Sequence, residues 1–297
     1  MNRIFAAVVG LLCIALCCCF VCCSTDKLPE QDKVITRTDE YNVVSFNAKV
    51  TNPNDKGDKR WSVRAPLIAK YLTDAAPDIV CMQELAKSQY DDIVARLPQY
   101  TFFWYGRSSG SDPEGLAILW SNRFQLVRQD RFWLSETPSV PSLGWGSQYE
   151  RLCVNVSLFD KNNDLTLNVF NVHLDNASKE AREKGIGLVV EQAKAADGET
   201  LICGDFNTTA SSNCYKIVAA EFVDCQAAAK ESCQGITFHN YGLGSGHKSA
   251  IDFVFCGKDF SVEKFAIVTD NSDEGKYLSD HYPVWAKLSK ETTITIK

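Results

Sequence analysis

Between Tyr41 and residue 270 the chain alternates between short apolar segments and amphipathic ones, and this alternation constrains the fold more than any other feature. Segments such as "YNVVSFNAK", "DIVCMQEL" and "LTLNVFNVHL" have the length and the β-branched content of strands. Many of them are apolar without interruption, which is typical of sheets that are buried on at least one face. Segments with helical spacing lie between them, including the stretch from about Lys179 to Ala195. We therefore expect an α/β (α+β) protein in which helices cover buried sheets.

A single folded domain is predicted over residues 41–290, because the composition does not change along this range. Its one long connection is the Pro/Gly/Ser-rich segment "SETPSVPSLGWGSQ", residues 135–148. Loops of this length in a compact domain are commonly functional. Trp145 in this loop is therefore a candidate for contact with a substrate.

Polar side chains follow many of the predicted strands at the point where each strand ends. Any one of them would usually be interpreted as a cap or turn residue, but together they can gather into one cleft if the strands are neighbours. The residues at these positions are Asn47, Glu84, His173, Asp205, Asn207, Asp252, Asp280 and His281.

The residue types in this set favour a hard divalent cation. Carboxylate and amide oxygens are the ligands that Mg²⁺ and Mn²⁺ prefer. Zinc is disfavoured, because the chain has only four histidines and no Cys-x-x-Cys pair after its N-terminal segment. In "GDFN", alternation along a strand places Asp205 and Asn207 on one side and turns Phe206 toward the core.

The charge balance limits the classes of substrate. The chain has 31 basic and 37 acidic residues, a formal net charge of −6. Tight sequence-independent binding to nucleic acid is not favoured by such a field. An acidic enzyme can still act on phosphate esters if a divalent metal supplies positive charge locally.

The N-terminal segment, residues 1–23, is predicted to direct export. After Arg3, the stretch "IFAAVVGLLCIALCCCFVCC" contains no charged side chain. It fits a secretory signal, a lipoprotein signal with Cys23 as the lipidated residue, or a transmembrane anchor. The protein is then either secreted or periplasmic, or held at a membrane, and the polar residues 24–40 are predicted to be a tether.

The motifs "SFN", "PDIVCMQE", "NVHLDN", "GDFN", "IDFVF" and "SDHYPV" occur in this order along the chain. This arrangement resembles the endonuclease/exonuclease/phosphatase (deoxyribonuclease I-like) superfamily, over about Tyr41 to Leu288. Stretches such as "FWLSETP" and "ITFHNY" look similar to exported bacterial members. The resemblance implies a four-layer α/β/β/α sandwich in which two facing mixed β-sheets are flanked by helices, with 41–290 as the catalytic domain.

The resemblance also implies roles for the polar strand ends. Glu84 is the principal metal ligand, helped by Asn47 and Asp280, for Mg²⁺ or Mn²⁺. Asp205 orients or deprotonates the attacking water, and Asn207 holds this water or a phosphate oxygen.

Further roles follow from the same resemblance. His281, paired with Asp252, is the other candidate for the base or for stabilising the transition state. His173 matches a second active-site histidine of the deoxyribonuclease-like branch, and Glu114 is its expected partner. Whether Asp205 or His281 is the general base stays open.

The resemblance assigns contact with the substrate phosphate to Arg107 and Tyr105. Trp145 stays a candidate for contact with the substrate because of its place in the long loop. The predicted reaction is hydrolysis of a phosphate ester by activated water, without a covalent enzyme intermediate. A nuclease-like phosphodiesterase is the first hypothesis. The alternatives are a phosphatase or phospholipase C-type enzyme acting on sugar, inositol or sphingolipid phosphates, and a non-catalytic binding protein that retains the fold.

The expected partners are a phosphate-ester substrate (nucleic acid, phospholipid head group or sugar phosphate) and, through the N-terminal segment, a membrane. The protein is expected to be a monomer.

Overall fold

The computed structural model describes residues 33–244, 246–269 and 275–296. The predicted signal or anchor at 1–23 and the first part of the predicted tether lie outside these residues. The large compact unit of the chain is Thr36–Thr293. In the part of the chain that is described, no helix is long and apolar enough to cross a membrane.

Twelve strands among the described residues form two six-stranded sheets. The first sheet has the order β11-β12-β1-β2-β4-β3, and the second has the order β5-β6-β7-β8-β10-β9. The strands are β1 (Lys33–Asn47), β2 (Ile79–Ala86), β3 (Tyr100–Gly106), β4 (Glu114–Ser121), β5 (Phe124–Trp133), β6 (Leu152–Asp160), β7 (Leu165–His173), β8 (Glu199–Asp205), β9 (Val223–Asp224), β10 (Asp252–Cys256), β11 (Ser261–Ile267) and β12 (Val284–Ile296).

Helices cover the outer faces of the two sheets. The α-helices are α1 (Trp61–Ala75), α2 (Lys87–Arg96), α3 (Lys179–Ala195), α4 (Asn213–Ala219) and α5 (Cys225–Ala228), with a short 3-10 helix at Gly57–Lys59. Ile68 and Leu72 of α1 pack on β1 and β2, while Ile186 and Val189 of α3 pack on the second sheet. The predicted helix from Lys179 to Ala195 is confirmed at both ends.

The central core lies between the two sheets. It joins apolar side chains of the first sheet, such as Ile79 and Ile118, to those of the second, such as Val154 and Val169, all fully buried. The predicted architecture of two facing mixed sheets flanked by helices is thus confirmed. Burial of this large apolar surface on both faces of each sheet is the main stabilising contribution to the fold.

Two parallel pairs bring the polar strand ends to one edge of the sandwich. In the first sheet β1 runs parallel to β2, with Asn47 opposite Gln83. In the second sheet β7 runs parallel to β8, with His173 opposite Asp205. The antiparallel strand β10 begins there, because Asp252 lies opposite Asp205. The carboxyl ends of parallel strands meet at the same edge, so the fold itself assembles a cleft there.

Some strands differ from the sequence expectation. β5 was not predicted, because it lies at a sheet edge and most of its side chains are exposed, so it has no apolar run. β12 was not predicted either, since its sequence "VWAKLSKETTITI" is largely polar. Residues 36–40, which were predicted to belong to the tether, are part of strand β1.

Candidate active site

Glu84 and Asn47 stand side by side at the ends of β2 and β1. Asn47 Nδ2 donates to Glu84 Oε1 at 3.0 Å and to Asp205 Oδ2 at 3.0 Å, so one amide joins carboxylates from both sheets. Burial by itself raises the pKa of Glu84, but the hydrogen bond from Asn47 and the charge of His281 outweigh it and leave this pKa below its usual value. Glu84 is therefore held as a carboxylate.

Asp205 ends β8 at the closest approach of β7 and β8. Gly204 before it has φ +151°, and a Cβ there would lie 2.0 Å from the carbonyl oxygen of Val172, so only glycine allows this approach. Asp205 Oδ1 accepts from the backbone N–H of Asn207 at 2.8 Å. Burial, with a contribution from Asp252, raises the pKa of Asp205 to about 7. Phe206 is fully buried in the core, as predicted.

His281 forms a buried pair with Asp252. Its Nδ1 lies 2.9 Å from Asp252 Oδ2, and its Nε2 lies 3.8 Å from Asp205 Oδ2. Burial alone lowers the pKa of the His281 imidazole, but Asp252, Asp205 and Asp280 together raise it to about 10. The ring is an imidazolium at neutral pH and its Nδ1–H donates to Asp252. The side-chain ligand atoms of Asp205, Asp252 and His281 all lie within 4.8 Å of one another.

His173 has the opposite electrostatic environment. Its Nε2 lies 3.6 Å from Asp205 Oδ2 and 4.0 Å from Glu84 Oε1, and its Nδ1 lies 3.9 Å from Glu114 Oε1. Burial, followed by the charges of Arg151 and Arg107, lowers the pKa of His173 well below its usual value. This second histidine is therefore neutral, so the two imidazoles that flank Asp205 differ in charge.

Two arginines bring positive charge to the cleft. Arg107 Nη2 lies 3.0 Å from Glu114 Oε2, and its guanidinium lies 4.7 Å from the ring centre of Tyr149. Arg151 immediately precedes the buried strand β6 and is only 6% exposed; its Nε is 3.7 Å from Asp175 Oδ2. Among the described residues, Nε and Nη1 of Arg151 have no hydrogen-bond partner. A buried guanidinium whose N–H groups lack hydrogen-bond acceptors is suited to binding an anion.

These groups line one cleft with a volume of about 360 Å³. Asn47 and Asp252 are buried and do not themselves line the cleft. The lining residues are Lys49, Glu84, Arg107, Glu114, Tyr149, Arg151, His173, Asn176, Asp205, Asn207, Phe238, His247, Ile251, Asp280 and His281.

Two of the residues predicted to contact the substrate do not line the cleft. Tyr105 lies outside the cleft, because its ring packs edge-on against Trp133 and under Arg131 as part of the sheet edge. Trp145 also lies outside the lining; its ring is near the ammonium of Lys184, and its carbonyl accepts from Ser178 at the start of α3. Arg107 does line the cleft, and its contact with a phosphate stays a prediction.

Sequence reasoning missed other members of the lining. Arg151 could have been found from "ERLCVNV", in which a charged side chain opens an apolar strand. Tyr149 and Lys49 carried no local signal, because each stands in a loop. His247, in the loop before β10, also lines the cleft.

A comparison with known protein families gives an independent indication of what this site belongs to. The sequence pattern of the Endonuclease/Exonuclease/phosphatase family matches residues 44–281. The chain belongs to this family. Its members are phosphoester hydrolases and are generally dependent on divalent metals.

Solved structures with the same fold cover nearly the whole domain. An endonuclease/exonuclease/phosphatase family protein from Bacteroides thetaiotaomicron is 29% identical, with a TM-score of 0.79, over 86% of this chain and 99% of that one. A mannosyl-6-phosphatase from the same species is 30% identical, with a TM-score of 0.78, over 84% and 99%.

Curated relatives are matched over only part of their length. Carbon catabolite repressor protein 4 homolog 3 from Arabidopsis thaliana is 24% identical over 235 residues, which are 75% of this chain and 50% of that protein. The chain thus spans about half the length of this relative.

The donor set in the cleft fits a hard divalent cation. Glu84, Asp205 and Asp280 line the same cleft with carboxyl groups, and burial raises the pKa of Asp280, with the charge of Glu84 adding to this shift. Carboxylates that disfavour one another's ionisation in this way are stabilised by a cation between them. Asn47 presents its amide nitrogen to the carboxylates, while its oxygen accepts from Lys49 N–H at 3.0 Å. Its assignment as an oxygen ligand stays a prediction.

Proposed function

We propose that this protein is a divalent-metal-dependent phosphoesterase that hydrolyses a phosphate ester by attack of water. One observation carries the proposal: Asp205 lies among protonated His281, neutral His173 and the carboxylate of Glu84. Asp205, with a pKa of about 7, is suited to accept a proton from water near neutrality. This supports Asp205 rather than His281 as the general base.

The other residues have complementary roles. His281 is held by Asp252 with Nε2 toward Asp205, so its positive charge lies where the phosphoryl group gains negative charge. Glu84 and Asp280, with Asn47, would hold the cation. When bound, Mg²⁺ or Mn²⁺ supplies positive charge that polarises a phosphoryl oxygen. Arg107 and Arg151 would bind the non-bridging oxygens of the same phosphate.

A phosphomonoester of a small alcohol, such as a sugar phosphate, is the substrate class that we favour. A monoester carries about two negative charges near neutral pH, which suits a cleft that has two arginines beside its cation site. The similarity to a mannosyl-6-phosphatase over 99% of that chain supports the same class. The net charge of −6 disfavours a long polyanion.

A phosphodiester is the second candidate. The observation that favours it is the neutral His173, 3.6 Å from Asp205, which can donate a hydrogen bond to a leaving oxygen without adding charge. The sequence resemblance to the deoxyribonuclease-like branch rests on the same residue.

Removal of divalent metal is expected to abolish the activity. Purified protein would be assayed with Mn²⁺ or Mg²⁺ on mannose 6-phosphate, glucose 6-phosphate, inositol phosphates, sphingomyelin, bis-p-nitrophenyl phosphate, DNA and RNA. We expect release of phosphate from a sugar phosphate, a loss of about 100-fold or more with EDTA, and recovery with added Mn²⁺. Faster turnover of DNA or the bis-ester than of every monoester would support the phosphodiester candidate instead. No metal-dependent turnover of any compound would contradict the proposed function.

Arg151→Met is expected to raise KM for the monoester by about 10- to 100-fold, because a charge-assisted hydrogen bond to phosphate is lost. Arg151→Lys should recover only part of the affinity, since an ammonium lacks the planar fork of guanidinium. Arg131→Met is the matched control, because Arg131 stacks on Tyr105 outside the cleft. Equal KM values for the Arg151 and Arg131 variants would contradict the assignment.

A further inference from the structure

The backbone that follows β1 donates hydrogen bonds to two of the predicted metal ligands. Lys49 N–H donates to Asn47 Oδ1 at 3.0 Å, and Val50 N–H donates to Glu84 Oε2 at 3.2 Å. Lys49 has φ +59°, a left-handed conformation that a lysine adopts only when its surroundings impose it. Something must therefore hold residues 48–51 in this shape.

The side chain of Arg64 binds the backbone of this segment. It lies in the first turn of α1 and is fully buried. Its Nη2 donates to the carbonyl oxygen of Lys49 at 2.9 Å, and its Nη1 donates to that of Ala48. Its Nε donates to Lys59 O at 2.8 Å. The guanidinium thus binds backbone carbonyls and does not itself line the cleft.

The same guanidinium also reaches the loop that carries Asp280. Nη1 of Arg64 donates to the carbonyl oxygen of Leu278 at 3.1 Å, two residues before Asp280. One side chain therefore connects the segment that orients Asn47 and Glu84 to the segment that presents Asp280.

Gln89 of α2 contributes a second, smaller support. It is fully buried, its Nε2 donates to Lys49 O at 3.1 Å, and its Oε1 accepts from Thr51 N–H at 3.0 Å. The carbonyl of the strained Lys49 thus accepts from two buried side chains on two different helices.

We propose that Arg64 is a positioning residue for the cation site: it holds residues 48–51 and the Leu278 loop so that Asn47, Glu84 and Asp280 face one another. This inference rests on the cation site of the proposed function. Ligand groups bind a cation well only when their supporting hydrogen bonds fix them, and loss of such support typically weakens metal affinity by about 10- to 100-fold.

The test compares Mn²⁺ affinity with thermal stability for Arg64→Lys and Arg64→Met. Mn²⁺ binding to the purified protein would be measured by calorimetry and by electron paramagnetic resonance, without substrate. We expect the Kd for Mn²⁺ to rise about 10-fold or more in both variants, with Lys less affected than Met. At saturating Mn²⁺, kcat should return to within about threefold of wild type, because Arg64 touches no reacting group.

The matched control is Leu72→Ala, on the same helix α1. Leu72 is fully buried and packs in the core between α1 and the first sheet, so its truncation lowers stability without removing a hydrogen bond to residues 48–51. We expect a lower Tm and an unchanged Kd for Mn²⁺. If Arg64→Met does not fold, Gln89→Leu tests the same support of residues 48–51. We expect its Kd for Mn²⁺ to rise about threefold or more.

The outcomes separate the two proposals. Arg64 and Gln89 variants that bind Mn²⁺ as tightly as wild type and lose only Tm, as Leu72→Ala does, would overturn the positioning role. A wild-type protein that binds no Mn²⁺ would instead overturn the cation site on which both proposals depend.

Discussion

Asp205→Asn is expected to lower kcat by about 10³-fold, because it removes the group that accepts the proton from water while keeping the shape of the side chain. The amide oxygen of the substituted side chain can still accept from the Asn207 backbone N–H, so the fold of the strand end should persist. Asp224→Asn is the matched control: Asp224 is another buried carboxyl in the same sheet whose pKa burial raises, but it bonds Tyr215 and does not line the cleft.

The pH profile tests the same assignment. Since burial raises the pKa of Asp205 to about 7, the carboxylate is present above this pH and is lost below it. We therefore expect kcat/KM to fall as the pH falls through about 7, or at somewhat lower pH because a bound cation favours the carboxylate. Residual activity of Asp205→Asn should lack this acidic limb. An unchanged limb in that variant would assign the base to another group.

His281→Gln is expected to lower kcat by about 10²- to 10⁴-fold, because the imidazolium beside the reacting phosphate is lost. The pKa of His281 is raised to about 10, so its charge is present below this pH, and wild-type activity should decline as the pH rises through about 10. That basic limb should be absent from His281→Gln. His239→Gln is the control, since His239 is buried in a stack with Tyr282 and does not line the cleft.

A double-mutant cycle tests the pairing of His281 with Asp252. Asp252→Asn should cost activity because it removes the partner of Nδ1 at 2.9 Å. Residues that act as a unit are strongly non-additive, so the double variant should be about as slow as His281→Gln alone. Multiplicative losses would show that the two residues act independently.

Much of the fold could be predicted because its signals are local. The apolar runs of β2, β7 and β8 and the helical spacing of α3 indicate their structures within a dozen residues. β5 could not be predicted in this way, because an edge strand with exposed side chains needs no apolar run. Tyr105 and Trp145, predicted to contact the substrate, do not line the cleft, because an aromatic side chain in a sheet edge or loop can pack on a neighbour as readily as on a substrate.

The sequence by itself determined which chemical groups stand at the strand ends, because the apolar runs show where each strand lies and which polar residues follow it. Only the tertiary structure decided what those groups can do. Asp205 and His281 differ from their ordinary pKa values because groups distant in sequence, Asp252 above all, are brought within a few ångströms of them in a buried place. The same holds for Arg151: only the packed sheet shows that its Nε and Nη1 have no hydrogen-bond partner within the described ranges. Electrostatic interaction and desolvation depend on distance and burial, and neither is a property of a residue's position along the chain.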